Sequence, residues 1–404
     1  MDMQQGVLKR ELISEVKDHI LPFWERLADR EYGGFYGAVE HDLTLCPHAD
    51  KGCILNSRLL YFFSEYIRVL GAEEPHKPEV TACALQAYEE LKNRFCDPVN
   101  KGLYWSVTYD GRPSDTSKYT YNMAFAIYGL SKYHAVSKNQ EALDLAMDIF
   151  ACIEEKCRLG DGYGESYTVD FQPIDNEKIS ENNVIADKTM NTLLHVMEAY
   201  TELYRQSGDG RVYDRLVWCV KEFRDKVYEK DKKRLGVFFD RDMHSLIDLH
   251  SYGHDIEGTW LIDRALEVIA DPELSASVRQ MIMDITENIH TLALRQGSLM
   301  TECEKGVNLE KRVWWVQCEA VTGFYNAWQK SKDERYLEDA FAVWNYIKEH
   351  FIDKREGSEW FNELFADGTV DTSMPIANEW KCPYHNGRMC LEMIERIGAD
   401  GKEG

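Results

Sequence analysis

Two histidines and a carboxylate lie close together near residue 254, at the start of an apolar helical pattern. His254 and Glu257 are three residues apart, so on a helix their side chains would share one face and could touch. Ser251 or Gly253 could cap that helix, and the amides of its first turn would disfavour an imidazolium. The pattern suggests a neutral histidine base oriented by a carboxylate, although a core histidine bonded to a neighbour also fits. A metal site is a third alternative, because His250 could converge with His254 and Glu257 on one ion.

Further polar and aromatic residues interrupt apolar helical patterns elsewhere in the chain. They are Arg58, Tyr121, Asn191 with His195, Trp315 with Glu319, and Trp380 with His385. Singly, each has a plainer explanation: Arg58 as a surface side chain with its head in water, for example, or Tyr121 as a core residue. Together they form a set suited to moving protons on a sugar. Sequence signatures of serine nucleophiles, phosphate-binding loops and dinucleotide sites are absent.

The elements that must hold these residues are helices. Apolar residues recur at helical spacing in twelve stretches. The stretches are 7–28, 54–70, 79–96, 116–136, 139–156, 186–206, 210–229, 254–270, 274–294, 311–330, 333–351 and 381–397. In the last stretch, Pro383 would occupy the first turn, where a proline is well tolerated.

A glycine followed closely by an aromatic or aliphatic residue recurs between successive helix pairs. These glycines are Gly34, Gly102, Gly162, Gly236, Gly297 and Gly357, which gives steps of 68, 60, 74, 61 and 60 residues. Such a period is typical of a repeat built from helix pairs. Polar residues on apolar helix faces and the lack of a polar capping repeat favour a closed ring over an open solenoid. We therefore predict an all-α fold, an (α/α)6 barrel of twelve helices in six hairpins. It would form one domain over 1–404, with its active site where the long loops collect.

The composition narrows the function. A net charge of −23 argues against partners such as nucleic acid or an anionic membrane, while 12% aromatic residues with ten tryptophans suit a sugar ligand. The eleven cysteines are scattered singly, which predicts reduced thiols in a cytoplasmic protein. We expect neither export nor a membrane span, because no signal segment and no run of eighteen apolar residues is found. The acidic surface favours a monomer.

Five sequence blocks carry a resemblance to a known family. They are 50–58, 186–191 with His195, 251–257, 313–319 and 380–388. In content and order these blocks resemble the cellobiose 2-epimerases of the N-acylglucosamine 2-epimerase superfamily, over essentially the whole chain. The resemblance implies an (α/α)6 barrel and an isomerase that works without a metal or cofactor. Its substrate would be a β-1,4-linked disaccharide such as cellobiose or lactose, whose reducing-end glucose becomes mannose.

The resemblance also implies roles for single residues. His254 and His385 match the two catalytic histidines, a general acid and a general base on opposite sides of the sugar. Arg58 and His195 match groups that stabilise an enediolate, and Glu257 matches a carboxylate that orients His254. The positions that match the walls of the sugar sites are Tyr121, Asn191, Trp315, Glu319 and Trp380. The differences from the family that we note, at Cys53, Asn56 and Cys318, avoid the catalytic positions.

Epimerisation at C2 requires the open-chain sugar, because only the C1 aldehyde can accept the charge as an enediolate. Inversion then removes a proton from one face and returns one to the other. We expect two neutral histidines with pKa values near the working pH, where general acid–base catalysis is most effective. A fixed charge from Arg58 would stabilise the enediolate.

Three alternatives stay open. The first is a monosaccharide enzyme of the same superfamily, either an N-acylglucosamine 2-epimerase or a mannose-type aldose–ketose isomerase. The second is an (α/α)6 glycoside hydrolase, which would use two carboxylates such as Glu257 and Glu319. The third is a non-catalytic protein that binds a sugar or a protein partner and has no need of His254 and His385.

Overall fold

The computed structural model describes residues 3–71, 77–179 and 182–400, and these ranges contain twelve helices. Four helices include a π-helical segment, which is given after the α-helical part to which it is joined. The helices are α1 (Met3–Ser14, π Glu15–Ile20, Leu21–Arg26), α2 (Cys53–Leu70), α3 (Lys77–Glu90, π Leu91–Phe95), α4 (Thr120–Ser137), α5 (Gln140–Lys156), α6 (Met190–Ser207), α7 (Gly210–Glu222, π Phe223–Val227), α8 (Tyr252–Ile269), α9 (Pro272–Leu292), α10 (Trp314–Ser331), α11 (Glu334–Tyr346, π Ile347–Phe351) and α12 (His385–Asp400).

The even-numbered helices form a closed inner ring. Each of them packs against the next, and α12 packs against α2. The odd-numbered helices form an outer ring, in which α3, α5, α7, α9 and α11 each pack on the inner helix that precedes them. The sixth pair joins the two ends of the described chain, because α1 packs on α12. The predicted (α/α)6 barrel is therefore confirmed, with five sequential hairpins and one pair formed by the terminal helices.

Two-residue turns connect four of the inner helices to the following outer helices. The first residue of each turn is left-handed and the second caps the next helix through its side chain. These pairs are Lys138 (φ 59°) with Asn139, Gly208 (φ 61°) with Asp209, Ala270 (φ 56°) with Asp271, and Lys332 (φ 58°) with Asp333. Caps of this kind satisfy amides that a helix start leaves without partners. This end of the barrel is thus closed by short, fixed connections.

The opposite end carries the long loops, which are linked by short antiparallel strands. The strands are β1 (Lys51–Gly52), β2 (Ser106–Val107), β3 (Lys118–Tyr119), β4 (Ser166–Tyr167), β5 (Lys188–Thr189), β6 (Tyr228–Glu229), β7 (Arg234–Leu235), β8 (Phe238–Phe239), β9 (Leu249–Ser251), β10 (Leu294–Arg295), β11 (Ser298–Leu299), β12 (Glu302–Glu304), β13 (Val307–Leu309), β14 (Arg312–Val313) and β15 (Glu363–Leu364). The pairs β1–β2, β3–β4, β5–β8, β9–β12 and β14–β15 each join one loop to the next. A bridge between Val39 and Ala377 joins the last loop to the first, so the loops form a continuous ring.

The repeated glycine-plus-hydrophobic loops all form the same backbone pairing after an outer helix. In each, a residue one or two positions after an outer helix pairs with a hydrophobic residue near the glycine, which follows the glycine in five loops and precedes it in the fourth, as Leu235. The six pairs are Ala28–Phe35, Cys96–Leu103, Arg158–Tyr163, Tyr228–Leu235, Leu294–Leu299 and Ile352–Trp360. The hydrophobic partner is buried in every pair, so each loop folds back under its own helix.

A buried basic residue precedes each inner helix. It lies two residues before the first five, as Lys51, Lys118, Lys188, His250 and Arg312, and four residues before α12, as Lys381. Each is bonded to a loop or to the helix start. Lys51 Nζ lies 2.8 Å from Asp29 and Lys118 Nζ 2.9 Å from Asp97, for example. These bonds fix the loops at the points where the inner helices begin.

The structure corrects four predicted helix starts that matter for the site, and the helices predicted from 186 and 311 begin at Met190 and Trp314. The helix predicted from 116 begins at Thr120, because Lys118 and Tyr119 form a strand. The helix predicted from 381 begins at His385, so Pro383 precedes α12 and does not lie in its first turn.

All eleven cysteines are free. Among the described residues, no helix has the length and apolar character needed to cross a membrane.

Candidate active site

A cavity of about 240 Å³ opens at the loop end of the barrel, over the first turns of the inner helices. Its lining residues are Arg58, Tyr121, Asn191, His195, His254, Glu257, Val313, Trp314, Trp315, Asn362, Glu363, Met374, Asn378, Trp380, Lys381 and His385. Nine of the ten predicted site residues are among them. Glu319 is the exception: it is 1% exposed and lies beneath the cavity. The expectation that Glu319 lines a sugar site is therefore wrong, because its carboxylate is used to bond other side chains.

His385 is held by a carboxylate. Its Nδ1 lies 2.7 Å from Glu319 Oε1, and Trp260 Nε1 donates to Glu319 Oε2 at 3.0 Å. The ring of His385 lies 5.4 Å from the ring of Trp315. With Nδ1 bonded to the protein, Nε2 is the atom of this imidazole that remains for a ligand.

His254 has a different partner from the one predicted. Its Nδ1 lies 2.8 Å from Ser251 Oγ, whereas the Oε1 atom of Glu257 bonds to Arg388. No hydrogen bond from Glu257 to His254 is found in the part of the chain that the structure describes, so the contact by which Glu257 was expected to orient His254 is not formed here. Ser251 occupies the N-cap position of α8, but its hydroxyl makes no cap bond to the backbone.

The His250, His254 and Glu257 metal site is not supported. His250 Nε2 lies 2.8 Å from Asp255 Oδ2. A different set, Glu257, Glu319 and His385, has possible ligand atoms within 4.8 Å of one another. Both carboxylates of that set already accept hydrogen bonds from Arg388, so a guanidinium supplies the positive charge at that place.

Two more predicted residues, His195 and Arg58, are buried in the cavity wall. His195 Nδ1 lies 2.9 Å from Glu198 Oε2, which also accepts from the hydroxyl of Tyr384 at 2.6 Å. Arg58 is 3% exposed and donates to the hydroxyl of Tyr121 at 2.9 Å and to the carbonyl of Trp380 at 3.2 Å. Arg58 forms no ion pair with a carboxylate in the part of the chain that the structure describes, so its charge is available to the cavity.

Arg388 connects the carboxylates below the cavity. It donates to Glu198 at 2.6 Å, to Glu319 at 2.7 Å and to Glu257 at 2.5 Å. We call these four residues the upper charged layer. Through Glu198 and Glu319 this layer reaches His195 and His385, so one guanidinium holds the partners of two site histidines.

Burial sets the protonation of the site. It lowers the pKa of His254 to about 3, with a further contribution from His195. Burial, Arg388 and Arg58 lower the pKa of His385 well below its usual range, and burial lowers the pKa of His195. Burial therefore favours the neutral form of all three histidines and moves their pKa values below that of a free imidazole.

The carboxyl groups differ from one another. Burial and the charge of Glu319 raise the pKa of Glu257 above its ordinary range, and burial also raises the pKa of Glu319. Burial opposes the ionisation of Glu198 as well, but Arg388 and His195 outweigh it and lower the pKa of Glu198 to about 2.

Several site residues were missed at the sequence level. Glu198 and Arg388 follow His195 and His385 by three residues, so the spacing rule applied to His254 and Glu257 could have found them. The cavity residues Asn362, Glu363, Met374 and Asn378 come from the loop before α12. The sequence predicts only that long loops collect at the active site, and no periodic pattern marks which residues of this loop face the cavity.

Comparison with known proteins shows that this (α/α)6 barrel is an enzyme of the isomerase class that acts on carbohydrates. More specifically, the chain belongs to the N-acylglucosamine 2-epimerase (GlcNAc 2-epimerase) family, whose model matches residues 34–386. A cellobiose 2-epimerase of Ruminococcus albus is 48% identical over 386 residues, which are 96% of this chain and 98% of that protein. The cellobiose 2-epimerase of Bacillus thermoamylovorans B4167 has a similar structure, with a TM-score of 0.92 and 45% identity over 97% of this chain and 100% of that chain. The N-acylglucosamine 2-epimerase of Mus musculus is 22% identical over 95% of this chain and 90% of that protein.

Proposed function

We propose that this protein is a cellobiose 2-epimerase, which inverts C2 of the reducing-end glucose of β-1,4-linked disaccharides such as cellobiose and lactose. The observation that carries the proposal is a pair of buried neutral histidines on one cavity. His254 and His385 each bond through Nδ1 to the protein and flank the ring of Trp315. The high identity to cellobiose 2-epimerases favours a disaccharide over N-acylglucosamine as substrate.

The reaction starts when the sugar ring opens and exposes the C1 aldehyde. One histidine then takes the C2 proton through Nε2, and the electrons of the C–H bond move onto the aldehyde to give a cis-enediolate. Protonation of C2 on the other face gives the mannose form. An imidazolium formed at His385 lies directly against Glu319, and this contact stabilises the charge during the reaction.

Arg58 supplies the fixed positive charge for the enediolate. Rings of Phe125 and Tyr384 lie 4.2 and 4.7 Å from its guanidinium carbon, and its Nε has no hydrogen-bond partner. A buried cation with unused donors is suited to negative charge that develops only during the reaction.

The geometry argues against hydrolysis. A glycosidase needs two carboxylates on either side of the bond, roughly 5–10 Å apart. Glu257 and Glu319 have atoms within 4.8 Å of one another, share Arg388, and only Glu257 lines the cavity.

The test is NMR of the purified protein with cellobiose in D2O, with and without a chelator. We expect a mannose reducing end that carries deuterium at C2, an intact β-1,4 bond and the same rate with the chelator. Free glucose would show hydrolysis, a ketose would show aldose–ketose isomerisation, and no change with cellobiose or lactose would contradict the proposed substrate class.

A further inference from the structure

Ser251 is the residue at the N-cap of α8, yet it does not cap that helix. Its hydroxyl lies 2.8 Å from His254 Nδ1 and makes no bond to the backbone amides of the first turn. At the same position of α6, Thr189 behaves as an ordinary cap, because its Oγ1 accepts from the amide of Thr192 at 3.0 Å. The hydroxyl groups at two equivalent helix starts therefore have different partners. Thr189 bonds to the backbone of its helix, whereas Ser251 bonds to a histidine of the site.

The backbone of Ser251 is fixed independently of this bond. Strand β9 ends at Ser251, which pairs with Glu302 of β12. The next amide, that of Tyr252, donates to the carbonyl of Thr301 at 3.2 Å. Ser251 is 6% exposed, so its hydroxyl is held at a defined place and exchanges little with solvent.

The two site histidines consequently have unlike partners. Both oxygens of Glu319 accept hydrogen bonds, Oε1 from Arg388 and Oε2 from Trp260. A carboxylate bonded in this way is an acceptor for His385 as well, so it holds the proton of His385 on Nδ1. A hydroxyl can accept or donate, so Ser251 can bond to either neutral tautomer of His254. In one tautomer Nε2 presents a lone pair to the cavity, and in the other it presents an N–H.

We propose that Ser251 is a positioning residue for the epimerisation, an inference that rests on the proposed function. It holds the imidazole of His254 with Nε2 toward the sugar and stabilises both neutral tautomers, whereas Glu319 restricts His385 to one. In one tautomer, Nε2 of His254 can accept a proton from the sugar. In the other, Nε2 can donate a hydrogen bond to a sugar oxygen, and the side chain need not move between the two.

Kinetics of three variants test this assignment. We expect S251A to lower kcat about 10-fold or more, a part of the ~10²–10⁴-fold that a positioned acid or base contributes, with KM changed less than twofold. S251T, which restores a hydroxyl, should recover most of kcat. The matched control T189A removes a true cap, so it should lower the melting temperature and leave kcat unchanged, while S251A should lower the melting temperature less than T189A does.

A second measurement does not depend on turnover. Nitrogen-15 chemical shifts of labelled histidines report which ring nitrogen carries the proton, and H254A and H385A assign the signals. We expect His385 to show one tautomer and His254 a mixture that S251A changes, with the His385 signal unaffected. An unchanged His254 signal, or an S251A variant with kcat within twofold of the parent protein, would overturn the assignment. If the parent protein itself did not convert cellobiose, that result would contradict the proposed function and not the bond between Ser251 and His254.

Discussion

The inner wall of the barrel carries two layers of buried charge that are built differently. In the upper charged layer, next to the cavity, three carboxylates share the guanidinium of Arg388. The lower charged layer lies further along the inner helices, one to two turns beyond the upper layer on the three helices that the layers share, α6, α8 and α12. It consists of Glu65, Lys132, Glu202, Arg264 and Glu392.

Each carboxylate of the lower layer pairs with two cations, because Arg68, Arg205 and Arg396 at its edge add ion pairs to Glu65, Glu202 and Glu392. Lys132 Nζ lies 3.3 Å from Glu65 and 3.1 Å from Glu202, and Arg264 pairs with Glu392. Burial opposes ionisation here too, but Lys132 and then Arg68 outweigh it and lower the pKa of Glu65 to about 2. Arg264 and Arg396 likewise outweigh burial and lower the pKa of Glu392, so the ionised forms of Glu65 and Glu392 are favoured.

The difference between the two charged layers shows how the inner ring of helices can contribute to both stability and catalysis. Where each carboxylate pairs with two cations, the opposite charges stabilise one another. Where one cation serves three carboxylates, it does not outweigh burial, which together with the charge of Glu319 raises the pKa of Glu257, and a carboxyl group that can bind a proton lines the cavity with the histidines. Perturbed groups of this kind are typical of functional sites.

The largest expected effect is the loss of a histidine of the cavity. H254A or H385A should lower kcat by about 10²–10⁴-fold, because each removes a general acid or base. The melting temperature should change little. H290A is the control, since His290 pairs with Asp339 on the outer helices and its loss should leave kcat unchanged. An active H254A or H385A variant would remove that histidine from the mechanism.

The second effect concerns the unpaired cation of the cavity. R58Q should lower kcat by about 10²–10³-fold, the range for one preorganised donor, and should affect KM much less. An R58Q variant that changes KM alone would show that Arg58 binds the substrate uniformly and does not act on the enediolate.

The third effect compares the two layers through stability. E65Q should destabilise the protein by about 3 kcal/mol at pH 7, as expected when one partner of a buried ion pair is removed. A carboxyl with a lowered folded pKa contributes stability that is present above its unfolded pKa and is lost as the pH falls. The cost of E65Q, measured by chemical denaturation, should therefore shrink toward low pH.

E257Q should show the opposite trend. A carboxyl with a raised folded pKa contributes stability at low pH that is lost as the pH rises, and glutamine mimics its protonated form. Relative to the parent protein, E257Q should thus gain stability as the pH rises from 5 to 8.5. The same pH trend in E65Q and E257Q would contradict the distinction between the layers.

The smallest effect lies at the far end of the barrel. D271A removes a cap that accepts from the amides of Glu273 and Leu274, so it should cost about 1 kcal/mol of unfolding free energy. Because the turn is remote from the cavity, kcat should not change. A loss of kcat would show that the turn end and the loop end are coupled.

The sequence by itself determined the twelve helices and the repeat, because both are local. Helical spacing and a glycine beside a hydrophobic residue are set within one segment, and all six predicted loops contain a pair of this kind, although the paired residue of the fourth, Leu235, precedes its glycine. Most of the candidate site followed too, because residues such as Arg58 and His195 interrupt apolar faces that turn toward the axis.

Only the tertiary structure decided how those residues are paired. Spacing along one helix brings His195 to Glu198. It cannot show that Glu257 bonds to Arg388, from another helix, while His254 bonds to Ser251. Nor can it show that Glu319 lies under His385, or that Ser251 turns from its helix to the imidazole. A buried charge bonds to the best partner that packing brings near, and in a closed barrel that partner comes from a distant part of the chain as often as from the next turn.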